Sequence, residues 1–263
     1  MIKPGLFSSL ITCCLIMFAS CTTYKNIPYF QDFPENDTSK PLFIKSVPFK
    51  SPVIEPDDIL IITMEAEDNT VSSLINSNSN STESAVPGQA APNGYTVDKD
   101  GYVKLKFLGK IKVAGLTTNE ATNLIETEAT KQFNNVTVKV KFGNFKVTVL
   151  GEVAHPATFV MPNEKVNIFD VLGMAGDLTI FGKRESVLLL RDSNSVEGKK
   201  AIRINLNSKN IVASPYFFLK PDDIVYIPPN QNKFTASNVT LTRNIGYGLT
   251  VISLATLILY RFF

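Results

Sequence analysis

The sequence predicts an α+β protein: two small mixed β/α units in series, closed by an apolar helix. Three observations carry this reading. Period-two apolar patterns alternate with one helix signal in each half. The tetrapeptide Pro-Asp-Asp-Ile occurs at Pro56–Ile59 and again at Pro221–Ile224, each time just before an apolar run. The last stretch, 245–263, is almost uncharged until Arg261.

Met1–Ser20 reads as a signal peptide. Lys3 supplies a minimal positive end, and Leu6–Phe18 is mainly apolar but too short for a stop-transfer helix. Phe18-Ala-Ser-Cys21 places small residues before a cysteine, as a lipoprotein cleavage site requires. Cys21 is therefore the candidate lipidation site. Its sulfur carries the diacylglycerol as a thioether, and cleavage frees its amine for acylation. Two or three acyl chains anchor durably where one does not. Residues 21–50 are rich in Pro, Asn, Asp and aromatics and read as a lipidated tether with little regular structure. Within it, Tyr29-Phe-Gln-Asp-Phe33 suits packing on a neighbouring domain or subunit, or equally on its own domain.

Residues 51–144 make the first unit. Pro56 presets φ for a turn, the aspartates bind nearby amides, and Ile59–Thr63 follows as a buried strand. Residues 68–94 are dominated by Asn, Ser, Thr, Ala and Pro; they cannot bury enough apolar surface to offset ordering entropy and read as a flexible insert. Tyr95–Leu105 is expected as a hairpin turning at Asp98-Lys-Asp-Gly101, and Phe107–Val113 as a further strand. Thr117-Thr-Asn-Glu120 is a capping box that starts a helix reaching about Phe133, with Ala121, Leu124, Ile125 and Ala129 on its buried face. Val136, Val138, Val140 and Phe142 alternate with Thr137, Lys139 and Lys141, a strand with one buried face.

Residues 145–229 make the second unit. Phe145-Lys-Val-Thr-Val149 alternates, and Leu150-Gly-Glu-Val-Ala-His-Pro156 turns the chain. Asn167 caps a short helix stopped by Gly176, with Ile168, Phe169, Val171, Leu172 and Ala175 inward. Val187–Leu190, then Ile202, Ile204 and Leu206, and finally Ile224–Ile227 read as strands, the last closing the sheet before Pro228-Pro229. Residues 230–244 read as a polar linker and 245–263 as a transmembrane helix. Gly246, Thr250, Ser253 and Tyr260 fall within one helical sector. They form either a stripe for helix contacts or, in a ring of subunits, a lumen-facing one. Tyr260 and Arg261 suit a membrane interface.

Chemistry is hard to find. His155 is the sole histidine and sits beside Pro in a turn, a poor place for a base. The aspartate pairs recur in the same turn-then-strand setting, which points to turn formation rather than to a metal or an acid/base pair. Asp98, Asp100 and Gly101 do not make a calcium loop, because the twelfth position from Asp98 is Gly109 and not Glu. Cys13 and Cys14 leave with the leader, so Cys21 alone cannot build a disulfide or a cysteine metal cage. No Gly-x-x-x-x-Gly-Lys-Ser/Thr loop is present, and no cofactor is implied. With 26 Lys and Arg against 24 Asp and Glu, no strong polyanion field is expected, which argues against nucleic acid.

Two sets of motifs carry a resemblance. Pro56-Asp-Asp-Ile-Leu60, Tyr95-Thr-Val-Asp-Lys-Asp-Gly101, Leu108-Gly109 and Val113-Ala-Gly-Leu-Thr117 resemble a polysaccharide-export domain. Val149-Leu-Gly-Glu-Val153 with Pro156, then Ala175-Gly176, then Pro221-Asp-Asp-Ile-Val225 resemble a soluble-ligand-binding β-grasp (SLBB) module. In this order, behind a lipoprotein leader, the chain is similar to the outer-membrane polysaccharide export lipoproteins of Gram-negative bacteria. Only one Gly-Glu-Val-x-x-Pro copy is present, where longer members carry more. The resemblance implies periplasmic domains, a homo-oligomeric ring with eight copies in the family, C-terminal helices as staves of a barrel in the outer membrane lipid, and a polysaccharide cargo. It also implies an inner-membrane polysaccharide co-polymerase that supplies the energy. The alternatives are a monomeric anchored lipoprotein that binds glycan or a partner, and a polysaccharide-cleaving enzyme, for which no suitably spaced carboxylate pair is visible.

Overall fold

The computed structural model describes residues 27–33, 41–67, 94–193, 198–237 and 239–262. The leader, Cys21 and nearly all of the 68–94 insert lie outside the described residues.

The first unit begins with β1 (Ile59–Glu65), which alternates buried and exposed residues as its sequence requires. It lies between β2 (Tyr95–Thr96) and β5 (Thr137–Phe142), both antiparallel to it. Leu60, Ile62 and Met64 face Val138, Val140 and Phe142 across the buried side. β3 (Tyr102–Leu105) and β4 (Gly109–Lys112) form a separate hairpin. The turn at Asp98–Gly101 forms as expected, with the Gly101 N–H donating to Asp98 O at 2.8 Å. Its two arms do not make the expected hairpin: β2 joins β1, and β3 pairs onward with β4.

Helix α1 (Thr118–Ala129) packs on β5 and opens with the full capping box: the Glu120 N–H donates to Thr117 Oγ1, and the Thr117 N–H donates to Glu120 Oε2. It ends at Ala129, four residues before Phe133, because 130–133 close in tight turns onto Ala129 O and Glu126 O.

The second unit is a five-stranded mixed sheet, β6 (Lys146–Gly151), β7 (Ala157–Val160), β8 (Val187–Asp192), β9 (Lys199–Ile204) and β10 (Ile224–Ile227), in the order β7-β6-β10-β8-β9. Its first and last strands run parallel at the centre, and α2 (Ile168–Met174) covers one face; this is the arrangement of a β-grasp. The last strand therefore enters the middle of the sheet instead of closing its edge. That insertion explains Gly151. At φ +94°, a Cβ there would lie 2.0 Å from the Ile227 carbonyl oxygen, so the end of the parallel pair admits only glycine.

Phe142 and Phe145 carry the apolar core across the junction between the units. Beyond β10 the chain is helical, in α3 (Gln231–Ser237) and α4 (Val239–Phe262). The polar linker 230–244 is thus mostly helical, and the last helix starts six residues before Ile245.

Candidate functional site

The two Pro-Asp-Asp-Ile tetrapeptides fold into the same device. The middle aspartates, Asp57 at φ 70° and Asp222 at φ 59°, take the left-handed position after proline. Asp58 and Asp223 donate their N–H groups back to Glu55 O and Lys220 O, each at 3.3 Å. Their carboxylates in turn accept the Glu55 N–H at 2.8 Å and the Lys220 N–H at 2.7 Å. This is the turn role that the repetition in sequence assigns to them. Folding brings the two turns together. Glu55, Asp57, Asp58, Asp192 and Asp222 line one cavity of about 520 Å³ at the junction of the units. Burial raises the Asp58 carboxyl above its ordinary range, and the charges of Glu55 and Asp222 push it the same way. Among the described residues no group of His, Cys, Asp and Glu is placed to hold a metal ion.

A second arrangement centres on 177–184, a segment that fastens both ends of the chain. On one side it holds the tether. The Tyr29 hydroxyl donates to Asp177 Oδ1, and the Arg184 guanidinium stands 5.2 Å from the centre of the Tyr29 ring. Burial, then the Asp177 carboxylate, raises the pKa of the Tyr29 phenol. Phe30 packs on Phe169 with ring centres 5.1 Å apart, and Asp32 accepts from the Ser208 hydroxyl at 2.9 Å and the Lys209 N–H at 2.7 Å. Further along, Val47 N–H donates to Val212 O at 3.0 Å, and Phe49 meets Phe218. The described parts of the tether, 27–33 and 41–50, are therefore seated on the second unit of their own chain.

On the other side the same segment holds the start of the C-terminal helical region, at Asn230 and α3. Thr179 donates its hydroxyl to Glu152 Oε2 at 2.9 Å, and Lys233 Nζ of α3 pairs with Glu152 Oε1. Lys233 holds the buried Glu152 carboxyl below its usual range against the effect of burial. Asn230 donates its N–H to Phe181 O and its side-chain amide to Ile180 O. Arg184, itself buried, donates to Leu178 O and Thr179 O and so keeps the segment in place. Glu152, Arg184 and Lys233 are functional candidates that sequence reading missed. The available signal was an acid inside an apolar run, Val149-Leu-Gly-Glu-Val153, which only a cation from elsewhere makes tolerable.

Among the described residues helix α4 is exposed along its length. Ile245, Tyr247, Leu249, Val251, Ile252, Leu254 and Ile258 are each about half or more exposed. Gly246, Thr250 and Ser253 lie exposed on it; the Tyr260 side chain is outside the described residues. Thr250 and Thr256 turn their hydroxyls back to the Tyr247 and Ile252 carbonyls, at 2.8 and 3.0 Å. Among the described residues no helix is long and apolar enough to cross a membrane, so the transmembrane helix expected at 245–263 is corrected to a long exposed helix.

The first unit has a family. Residues 48–143 match the family described as polysaccharide biosynthesis/export protein. The match takes in the first Pro-Asp-Asp turn, the β3–β4 hairpin, α1 and β5, and it stops where the β-grasp sheet begins. The match thus assigns a polysaccharide-export domain to the first unit.

Proposed function

We propose that the protein is one subunit of a passive conduit for capsular or extracellular polysaccharide through the periplasm and outer membrane. Copies associate as a ring, the two folded units enclose the passage, and the α4 helices gather at its exit. The observation that carries this reading is an export domain and an exposed apolar helix in one chain, with α3, which precedes that helix, bonded to the second unit. A freely hinged anchor has no need of the Glu152–Lys233 pair or the Asn230 bonds that fasten α3. A stave of a helical barrel needs apolar side chains only on the outward half of its circumference, so the shared surface of several α4 helices meets lipid where one helix alone does not.

In this reading Cys21 carries the lipid, the β-grasp unit is an SLBB module, and Gly246, Thr250, Ser253 and Tyr260 face the lumen or the neighbouring helix. An inner-membrane polysaccharide co-polymerase supplies the energy. The turn aspartates bind backbone amides, so no catalytic pair is assigned. The back-bonded hydroxyls of Thr250 and Thr256 favour a second reading, in which the stripe serves close helix packing or a simple anchor on a monomeric binder.

Electron microscopy of the detergent-purified protein separates the two: a ring with a central hole is expected. Deleting 245–263 is expected to abolish surface polymer while both folded units persist. A monomer in detergent, or normal capsule on cells carrying the truncated protein, would falsify the conduit.

A further inference from the structure

The export domain carries a charged surface that the turns and the α3 contacts leave unused. The β3–β4 hairpin buries Val103, Leu105 and Ile111 on one side. Its other side presents Tyr102, Lys104, Lys110 and Lys112, with the three lysines exposed. The register sets Lys104 directly opposite Lys110, and Tyr102 opposite Lys112. Like charges facing each other across an antiparallel pair destabilise it, and lysine is depleted from strands. Folding alone gives no reason for this arrangement.

Neutralisation within the chain is slight. Among the described residues, only Lys110 of this group has a carboxylate in reach, Asp98 at 3.8 Å. That carboxylate already accepts the N–H groups of Asp100 and Tyr102, at 3.1 and 2.8 Å. Lys112 and Lys106 stand over the rings of Tyr102 and Phe107, 5.9 and 5.3 Å from their centres. The face therefore offers ammonium groups beside a flat aromatic ring. That combination suits a sugar bearing a carboxylate: the ring takes the apolar face of the sugar and the ammoniums take the charge.

We propose that this hairpin face binds an acidic polysaccharide, one whose sugars carry carboxylates. The inference rests on the export reading and names its substrate class. The rival occupant is the acidic junction of a second copy. The hairpin is the better match for polymer because that junction is partly compensated at home: Lys146 lies 3.6 Å from Asp222, and Lys199 2.9 Å from Asp192.

The test titrates the full chain in detergent with alginate, a polyuronate, and with dextran, a neutral polymer. Alginate is expected to bind, more weakly as salt rises, and dextran not at all. The triple variant K104Q/K110Q/K112Q is expected to bind alginate about tenfold more weakly, with a melting temperature at or slightly above that of the wild type and unchanged particle size. K104R/K110R/K112R is expected to retain binding. Equal alginate binding by the glutamine variant and the wild type would overturn the inference. So would a wild type that ignores alginate. A glutamine variant with altered particle size would also overturn it, by assigning the face to contact between copies. A ring seen in projection survives all three outcomes, so failure here is separable from failure of the conduit.

Discussion

Asp58 and Asp223 occupy the same position in the same turn, but the protein treats them differently. Asp223 is fully buried and gripped by Arg191, with Nε at 2.9 Å from Oδ1 and Nη2 at 2.7 Å from Oδ2; Nη2 also donates to Phe218 O. Asp58 is half-buried and has Asn144 beside it, an amide that also accepts the Ile59 N–H at 3.2 Å. The turn is written in four residues. The fate of its carboxylate depends on whether a strand elsewhere brings a guanidinium. Where one arrives, the charge is buried and locked. Where none does, the carboxyl is pushed toward its neutral form at a wetter junction.

The comparison can be broken most directly by removing each carboxylate. Asp223→Ala strands Arg191, whose side chain is only 12% exposed, and is expected to cost about 3–5 kcal/mol in denaturant unfolding. Asp58→Ala loses hydrogen bonds from neutral donors only, the Glu55 N–H and Asn144, and is expected to cost about 1–2 kcal/mol. Equal losses would show that Arg191 adds nothing to the second turn.

A smaller effect is expected at the other buried acid. Lys233→Met leaves Glu152 with Thr179 alone and should cost roughly 1–3 kcal/mol at neutral pH. The sign with pH follows from its depressed pKa: the Glu152 contribution is whole above the ordinary carboxyl range and fades as pH falls through the folded-state value. Thermal melts of Lys233→Met should accordingly flatten on the acid side relative to the wild type. An unchanged acid limb would remove Lys233 as the partner.

Asp58 runs the opposite way. Its folded pKa is raised, so its contribution is whole in acid and is lost as pH rises through that value. Asp58→Asn keeps an acceptor for the Glu55 N–H and stays neutral. It should gain under about 1 kcal/mol at pH 7, a gain that shrinks with acid and vanishes below the ordinary Asp range. Melting across that window checks it; a gain that persists in acid would mean that charge is not the cause.

Much of the fold was legible because its causes are local. Thr117 and Glu120 sit three residues apart, and so do Asn167 and Asp170; both pairs close as full capping boxes. Val138, Val140 and Phe142 point inward because a strand alternates and one side must leave water. Misreadings fell where partners compete. The turn at Asp98–Gly101 was visible, but β1 captured β2 and left β3 to pair with β4. The helical form of the linker's start, α3, was not read either, since it rests on Asn230 and on Lys233 reaching Glu152.

The candidate site was far less readable. Cys21 rests on leader chemistry alone, and the stripe of Gly246, Thr250 and Ser253 could be listed by spacing but not matched to a neighbour. Glu152, Arg184 and the seat of Tyr29 were not visible, since each depends on a group distant in sequence.

By itself the sequence determined the turns, the caps, the strand alternation and the export-domain motifs, because these follow from interactions spanning a few residues. Only the tertiary structure decided which acids are neutralised, where the tether lies, and how the charges separate. A near-zero total hides lysines collected on one hairpin and carboxylates collected at the junction. The physical reason is that charge and burial act through space: what matters is the distance between groups after folding, and composition contains no distances.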